Sequence, residues 1–255
     1  MNVVALAKFV PDPLSTPQLG VDGLLVREGA GGALDPGDEY GLELALQLTE
    51  AGGGEVTVVS MGPPEAVTAV RRGLAMGAHR GVLVADPVLR GSDALATARV
   101  LAAAIARQPY DLVIAGMEST DGYTGTVPVT IAELLGIDSV TAVRALEVSP
   151  DGLKVERQTE SGYDVVTCPL PALVTVTAGA TEPRYPSLKG IMSAKQKPFE
   201  ELSLGDLGID PARVAAAQSV AAVTDAPAKT GGETIDADPD GVARIADLLS
   251  QAKVI

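Results

Sequence analysis

The residues best suited to chemistry run from Gly116 to Pro128, in the order Gly-Met-Glu-Ser-Thr-Asp-Gly-Tyr-Thr-Gly-Thr-Val-Pro. They follow a short apolar run and open a helical one. Gly122 and Gly125 let main chain approach a ligand closely. The N–H groups of residues 124–127 stand at a helix start, where unpaired amides and the helix dipole favour an anion such as phosphate. Thr124 and Thr126 add hydroxyl donors. The stretch lacks the Lys of a P-loop and the spacing of a G-x-G-x-x-G fingerprint. Gly-rich turns also join strands to helices with no ligand, so the residues alone leave both readings open.

Lesser signals lie elsewhere. Met61-Gly62-Pro63 closes a strand-like run, where Gly62 brings backbone near a strand-end crevice or simply makes a turn. In Leu34-Asp35-Pro36-Gly37-Asp38-Glu39 the acids could bond ribose hydroxyls, or serve as a helix N-cap and first-turn carboxylates. Lys8, after the first apolar run, could balance an anion or be solvated. No Ser/His/Asp arrangement, second Cys or metal-ligand cluster is readable. With one His, His79, a His-rich metal site is excluded, and His79 is given no role. The lone Cys168 allows no internal disulfide and reads as an inert buried thiol in a strand. No nucleophile or proton-transfer group can be nominated, which favours a carrier or binding protein over an enzyme.

Composition narrows the partners. The 255-residue chain has a formal net charge of −14, which disfavours nucleic acid and anionic lipid. Hydrophobic residues make up 46% and aromatics 3%, without Trp, so the core is built from Val, Leu, Ile and Ala. Such residues suit a parallel sheet covered by helices on both faces. No apolar run reaches the roughly 18–20 residues of a membrane span. The N-terminus enters a strand at once, so no targeting segment is expected, and a bacterial cytoplasmic location is.

The elements that position these residues alternate through 1–145. Strand-like runs at 3–7, 55–60, 81–85 and 111–115 are separated by helical patterns at about 37–50, 64–76, 92–107 and up to 135. Ser92 is read as the cap of the third helix, with Leu95, Ala98, Ala102 and Ile105 on one apolar face. The βαβ order predicts a doubly wound, mostly parallel sheet of the adenine-nucleotide-hydrolase or universal-stress type. Ligands in such folds bind beyond the carboxyl ends of the strands. Runs at 140–148, 153–159 and 164–177, with turns at Asp151-Gly152 and Ser161-Gly162, predict an added β-meander. The expected organisation is a domain over 1–200, including a loop at 181–200, and an extended C-terminal arm over 201–255. The arm ends in an amphipathic helix with Val242, Ile245, Leu248 and Leu249 on one side, which would dock on this domain's own surface or, in the favoured reading, on another chain.

Several segments together resemble the beta subunit of electron-transfer flavoproteins over nearly the whole chain. They are the start through Lys8, Asp35-Pro36-x-Asp38-Glu39, Ser60-Met61-Gly62-Pro63, Arg72 to Ala78, and Ile114 to Glu133. Most specific is Thr181-Glu182-Pro183-Arg184-Tyr185-Pro186-Ser187-Leu188-Lys189-Gly190-Ile191-Met192-x-Ala194-Lys195. The resemblance implies a heterodimer with an alpha subunit that holds most of a redox-active FAD, while the C-terminal arm embraces that subunit. It implies AMP, or a second FAD in electron-bifurcating members, in this subunit. That nucleotide is carried onto Leu6, Asp35, Pro36, Gly37, Asp38, Met61, Gly116, Asp121, Gly122, Tyr123, Thr124, Gly125, Thr126 and Val127, with the phosphate at Gly125 to Val127. Segment 183–195 corresponds to the family's docking loop for acyl-CoA dehydrogenases, with Leu188 as anchor and Lys189, Lys195 and Lys197 as steering charges. Electrons would pass on to a membrane quinone oxidoreductase. The sequence departs from many relatives in Asp35-Pro36-Gly37, where they carry Asn-Pro and an aromatic, so an aromatic contact to flavin is missing. The alternatives are a bifurcating NADH-oxidising complex and a stand-alone adenine-nucleotide-binding module of the universal-stress type.

Overall fold

The computed structural model describes the chain except for residues 13, 28, 30, 225, 229 and 230. Two compact units result, Met1–Val220 and Ala221–Ile255. In the first, β1 (Asn2–Leu6) leads into a small antiparallel hairpin of β2 (Phe9–Pro11) and β3 (Gly32–Leu34). There follow α1 (Pro36–Gly52), β4 (Glu55–Met61), α2 (Val67–Met76), β5 (Arg80–Val84), α3 (Ala94–Ala106), β6 (Leu112–Gly116) and α4 (Val127–Leu135). Then come β7 (Asp138–Ser149), β8 (Gly152–Thr159), β9 (Gly162–Cys168), β10 (Ala172–Val176), α5 (Leu188–Ala194) and β11 (Phe199–Leu202).

Nine strands form one sheet in the order β11-β5-β4-β1-β6-β10-β7-β8-β9. From β11 to β7 neighbours run parallel; β8 and β9 are antiparallel. Chain order reverses at β1. From β1 the chain builds outward through β4 to β5, then returns to place β6 on the other side of β1. Alternate side chains of each strand enter different cores, as strand geometry requires. Val3 and Ala5 join Leu42, Leu46 and Leu74 of α1 and α2, whereas Val4 and Leu6 join Ala98, Ile105 and Ile131 of α3 and α4. The inner parallel strands β1, β4, β5, β6 and β10 are buried along nearly their whole length, whereas β7 and β11 are largely exposed. This is the doubly wound α/β fold that the alternation predicts.

Several details differ from the sequence reading. The run 164–177 is two strands: Pro169 and Pro171, which lack ladder donors, separate β9 from β10. Only β8 and β9 extend the sheet as a meander, while β10 returns to its centre between β6 and β7. β11 and the β2–β3 hairpin were not read as strands, being short and partly exposed. β11 pairs with β5, and Leu202, Leu204 and Val214 are buried in the second core, so the division expected at residue 200 falls inside a strand. Asp93, not Ser92, caps α3: its carboxylate accepts from Ala96 N–H at 2.8 Å, while Ser92 Oγ donates to Leu89 O. Leu95, in the first turn, stays exposed rather than joining the apolar face. His79 has a structural place after all, its Nδ1 accepting from Val56 N–H at 3.0 Å. Cys168 is buried, and burial raises its thiol pKa, as an inert thiol requires. In the second unit α6 (Pro239–Gln251) is the expected amphipathic helix, capped by Asp238, with Val242, Ile245, Leu248 and Leu249 exposed.

Close packing makes one test direct. A Cβ on Gly81, where β5 passes beneath α2, would lie 2.4 Å from Val70 Cγ1. Gly81→Ala is expected to destabilise the chain by about 1–3 kcal/mol in urea unfolding. An unchanged midpoint would contradict that packing.

Candidate functional site

Strand order reverses between β1 and β6, and it is in the crevice beyond the carboxyl ends of the strands at such a point that doubly wound sheets bind ligands. Here the first turn of α1 fastens the two strand ends to each other. Asp35 is fully buried and caps α1, its Oδ1 accepting from Gly37 N–H at 2.8 Å. Its Oδ2 accepts from both the N–H and the Oγ1 of Thr120, each at 2.7 Å, in the loop after β6. Asp38, one turn on, accepts from Lys8 N–H at 2.7 Å on one oxygen and from Gly116 N–H at 3.2 Å on the other. Of the two roles open to these acids, the structure gives N-cap and tether. Their oxygens hold main chain.

The tether explains two glycines. A Cβ on Gly116 would lie 2.7 Å from Asp38 Oδ1 and 3.2 Å from the Gly37 carbonyl carbon. One on Gly37 would lie 3.1 Å from Asp35 Oδ1. Both are glycine because α1 and the end of β6 touch through backbone.

A second cluster closes the same end. Lys8 Nζ donates to Asp121 Oδ1 at 2.6 Å and to Ser119 Oγ at 3.0 Å. Arg27 Nε donates to Asp121 Oδ2 at 3.2 Å, and Arg27 Nη2 to the same oxygen. Burial alone would raise the Asp121 pKa, but Lys8 and then Arg27 outweigh it and hold the carboxyl below its usual range. Lys8 is therefore paired rather than simply solvated. Lys8 Nζ also stands close to the loop, 3.5 Å from where a Cβ on Gly122 would lie. Thr126 caps α4 through no side-chain bond, and no acidic residue occupies its first turn. Residues 122–126 are exposed, and Tyr123 (φ 47°) and Gly125 (φ 61°) take left-handed backbone. An exposed main-chain loop opening a helix N-terminus, with Lys8 and Arg27 beside it, is suited to an anion such as phosphate. The exposed Glu118 stands near Gly125, its Oε2 3.6 Å from where a Cβ there would lie.

Of the remaining expected residues, Leu6 is buried at the end of β1, and Met61 and Val127 pack half-buried on its cluster. Pro36 is the first residue of α1. Leu188 is far along the chain, as the first residue of α5, with 76% of its surface exposed. Lys197, expected to steer a partner, instead donates to Leu74 O and Ala78 O at 2.8 and 2.7 Å, closing the end of α2. Sequence reasoning missed Arg27, Ser119 and Thr120 as individual contributors. Arg27 stands alone in a Pro- and Gly-rich loop, and nothing local signals it. Among the described residues no group of three or more His, Cys, Asp or Glu is placed to hold a metal, and no helix is long and apolar enough to cross a membrane.

Known proteins are similar over most of this chain. A family model described as "Electron transfer flavoprotein domain" matches residues 22–207. The chain is 40% identical over 265 aligned residues to the electron transfer flavoprotein subunit beta of Mycobacterium leprae, covering 100% of this chain and 99% of that one. It is 42% identical to the protein of that name from Thermoanaerobacterium thermosaccharolyticum, over 82% of this chain and 81% of that one. It is 37% identical to the caffeyl-CoA reductase-Etf complex subunit CarD of Acetobacterium woodii, over 92% of each.

The buried tether carries a pH signature. Burial, and then the neighbouring charge of Asp35, push the Asp38 carboxyl up to about 7, against N–H donation from Lys8 and Gly116. The unfolded chain releases this proton near 3.8. Between these values the folded state binds more protons than the unfolded one, so this group's contribution falls as pH rises from about 4 to 7 and is level above. Asp38→Asn is neutral throughout, so its stability relative to the parent should improve from pH 5 to pH 8. An equal melting-temperature difference at both pH values would contradict the assignment.

Proposed function

The chain belongs to the electron transfer flavoprotein family, among its beta subunits, and on that footing we propose that it is the non-catalytic half of a heterodimeric electron carrier. The observation that carries the nucleotide part is the crevice between β1 and β6, with the open N-terminus of α4 and the paired cations Lys8 and Arg27. An adenylate, AMP in this reading, seats its phosphate on the amides of Gly125, Thr126 and Val127, with Leu6 and Met61 lining the base end. Asp35 and Asp38 do not grip this ligand directly; they hold the two loops that do.

The alpha subunit holds most of an FAD, which supplies the capacity to take up and release electrons. This chain closes one side of that site and shapes its surroundings. Its residues hold the loops, exclude water from the crevice and present a docking surface. Because residues up to Val214 are built into the first unit's core, the arm that grips the alpha subunit is the second unit, Ala221–Ile255, and α6 supplies an apolar stripe for that contact. Acyl-CoA dehydrogenases deliver electrons at the segment around Leu188, and a membrane quinone oxidoreductase receives them. The carrier itself works in the cytoplasm. A second reading, with a further FAD in place of AMP in a bifurcating complex, is favoured by the likeness to the Acetobacterium woodii subunit.

Co-expression with the alpha subunit should give a yellow heterodimer. Mass analysis of what it releases on denaturation should find one FAD and one AMP. Two FAD would replace the first reading with the second, and a colourless heterodimer would overturn both. Gly125→Val forces a β-branched residue into left-handed backbone at φ 61° and crowds the phosphate. Its AMP content should fall well below one per heterodimer with FAD retained; full AMP occupancy would remove Gly125 from the site.

A further inference from the structure

Segment 181–197 is held to the body at both ends. At the first, Thr181 Oγ1 donates to Tyr40 O at 3.2 Å, and Arg184 grips α1 with backbone and side chain together. Its N–H, Nε and Nη2 donate to Glu43 at 3.2, 2.8 and 2.9 Å. Its Nη1 and Nη2 donate to Glu50 at 2.6 and 2.9 Å. Planar forks of this kind fix orientation as well as position. The Glu43 side chain is 4% exposed and that of Glu50 57%. Burial pulls the Glu43 carboxyl upward, but bonds from Arg184 and Gln47 outweigh it; Arg184 lowers Glu50 directly. At the far end Gly190 fits against α2 so closely that a Cβ would lie 2.3 Å from Ala75 O. Lys197 closes the end of α2 beyond it.

Between the clamps the segment exposes apolar groups. Tyr185 is 89% exposed, Leu188 76%, Met192 68% and Ile191 53%. A mobile loop bearing such side chains would have to be ordered on every encounter, at a cost in affinity. Here the backbone beneath them is already fixed by charge-assisted bonds.

We propose that Arg184 is a positioning residue for partner docking: through its fork to Glu43 and Glu50 it holds Leu188, Tyr185 and Met192 as a preset apolar face for the electron-donating dehydrogenase. This rests on the reading of segment 183–195 as the docking surface. Arg184 touches neither cofactor nor substrate. Its loss weakens encounter and leaves electron transfer within the formed complex intact.

The test uses the flavin-loaded heterodimer with a purified acyl-CoA dehydrogenase and its acyl-CoA, following flavin reduction at varied heterodimer concentration. Leu188→Ala, Arg184→Ala, the double variant and Glu50→Ala are compared, with flavin content and melting temperature measured for each. Arg184→Ala should raise KM about tenfold with kcat within about twofold. Glu50→Ala, which removes an exposed partner only, should raise it roughly two- to threefold. Because Arg184 acts through Leu188 and its neighbours, the double variant should fall short of the product of the two single effects. An unchanged KM in Leu188→Ala removes the docking reading and this inference with it. A raised KM in Leu188→Ala with none in Arg184→Ala, or fully multiplicative effects, overturns the positioning role alone. So does a fall in kcat or flavin content in Arg184→Ala. Should Arg184→Ala fail to fold, Glu50→Ala decides: an unchanged KM there overturns the proposal.

Discussion

Two buried carboxylates hold the carboxyl-end exits of β1 and β6 together. β1 and β6 lie side by side, but past their ends β1 leads into the β2–β3 hairpin and β6 into the loop before α4, and no ladder joins the two exits. Asp35 and Asp38 supply what the sheet cannot: each carboxylate binds α1 or the β1 exit on one oxygen and the β6 exit on the other. Burying such charges is costly, and it is tolerated because both oxygens of each carboxylate are hydrogen-bonded. The close contact of Gly37 and Gly116 with these carboxylates is a geometric result of the same arrangement.

α1 links this end to a distant surface. Its first turn carries the tether, its middle packs Leu42, Ala45 and Leu46 into the core, and its outer face bears Glu43 and Glu50 for Arg184. One rigid helix thus sets both the mouth of the crevice and the seat of segment 181–197. The acids along α1 divide into those that hold its own entrance and those that hold another part of the chain.

Much of the fold was legible because its signals are local. Alternating apolar runs and helical periodicity give the parallel core, and the Gly-rich stretch after Ala115 marks the loop at the strand reversal. What was not legible depends on contacts distant in sequence. Nothing near Arg27 shows that it will meet Asp121, and nothing near Lys197 shows that it will close α2 instead of facing a partner. The acids of Asp35-Pro36-Gly37-Asp38 left two roles open, and only the distance to Lys8, Gly116 and Thr120 separates them. The return of β10 to the sheet centre was hidden because its residues continue the apolar character of β9 across Pro169 and Pro171. Leu95 was misplaced for a related reason: periodicity names a face but not how far the neighbouring layer extends beneath it.

The contact of Gly190 with the Ala75 carbonyl also bears on how such a surface can diversify. Any larger residue at that position would lift the short helix from its bed and disturb every group it displays, whereas Tyr185, Leu188 and Met192 can be exchanged without touching the scaffold. Change in what this face presents is thereby channelled into a few outward-facing positions, while the seat beneath them stays inherited.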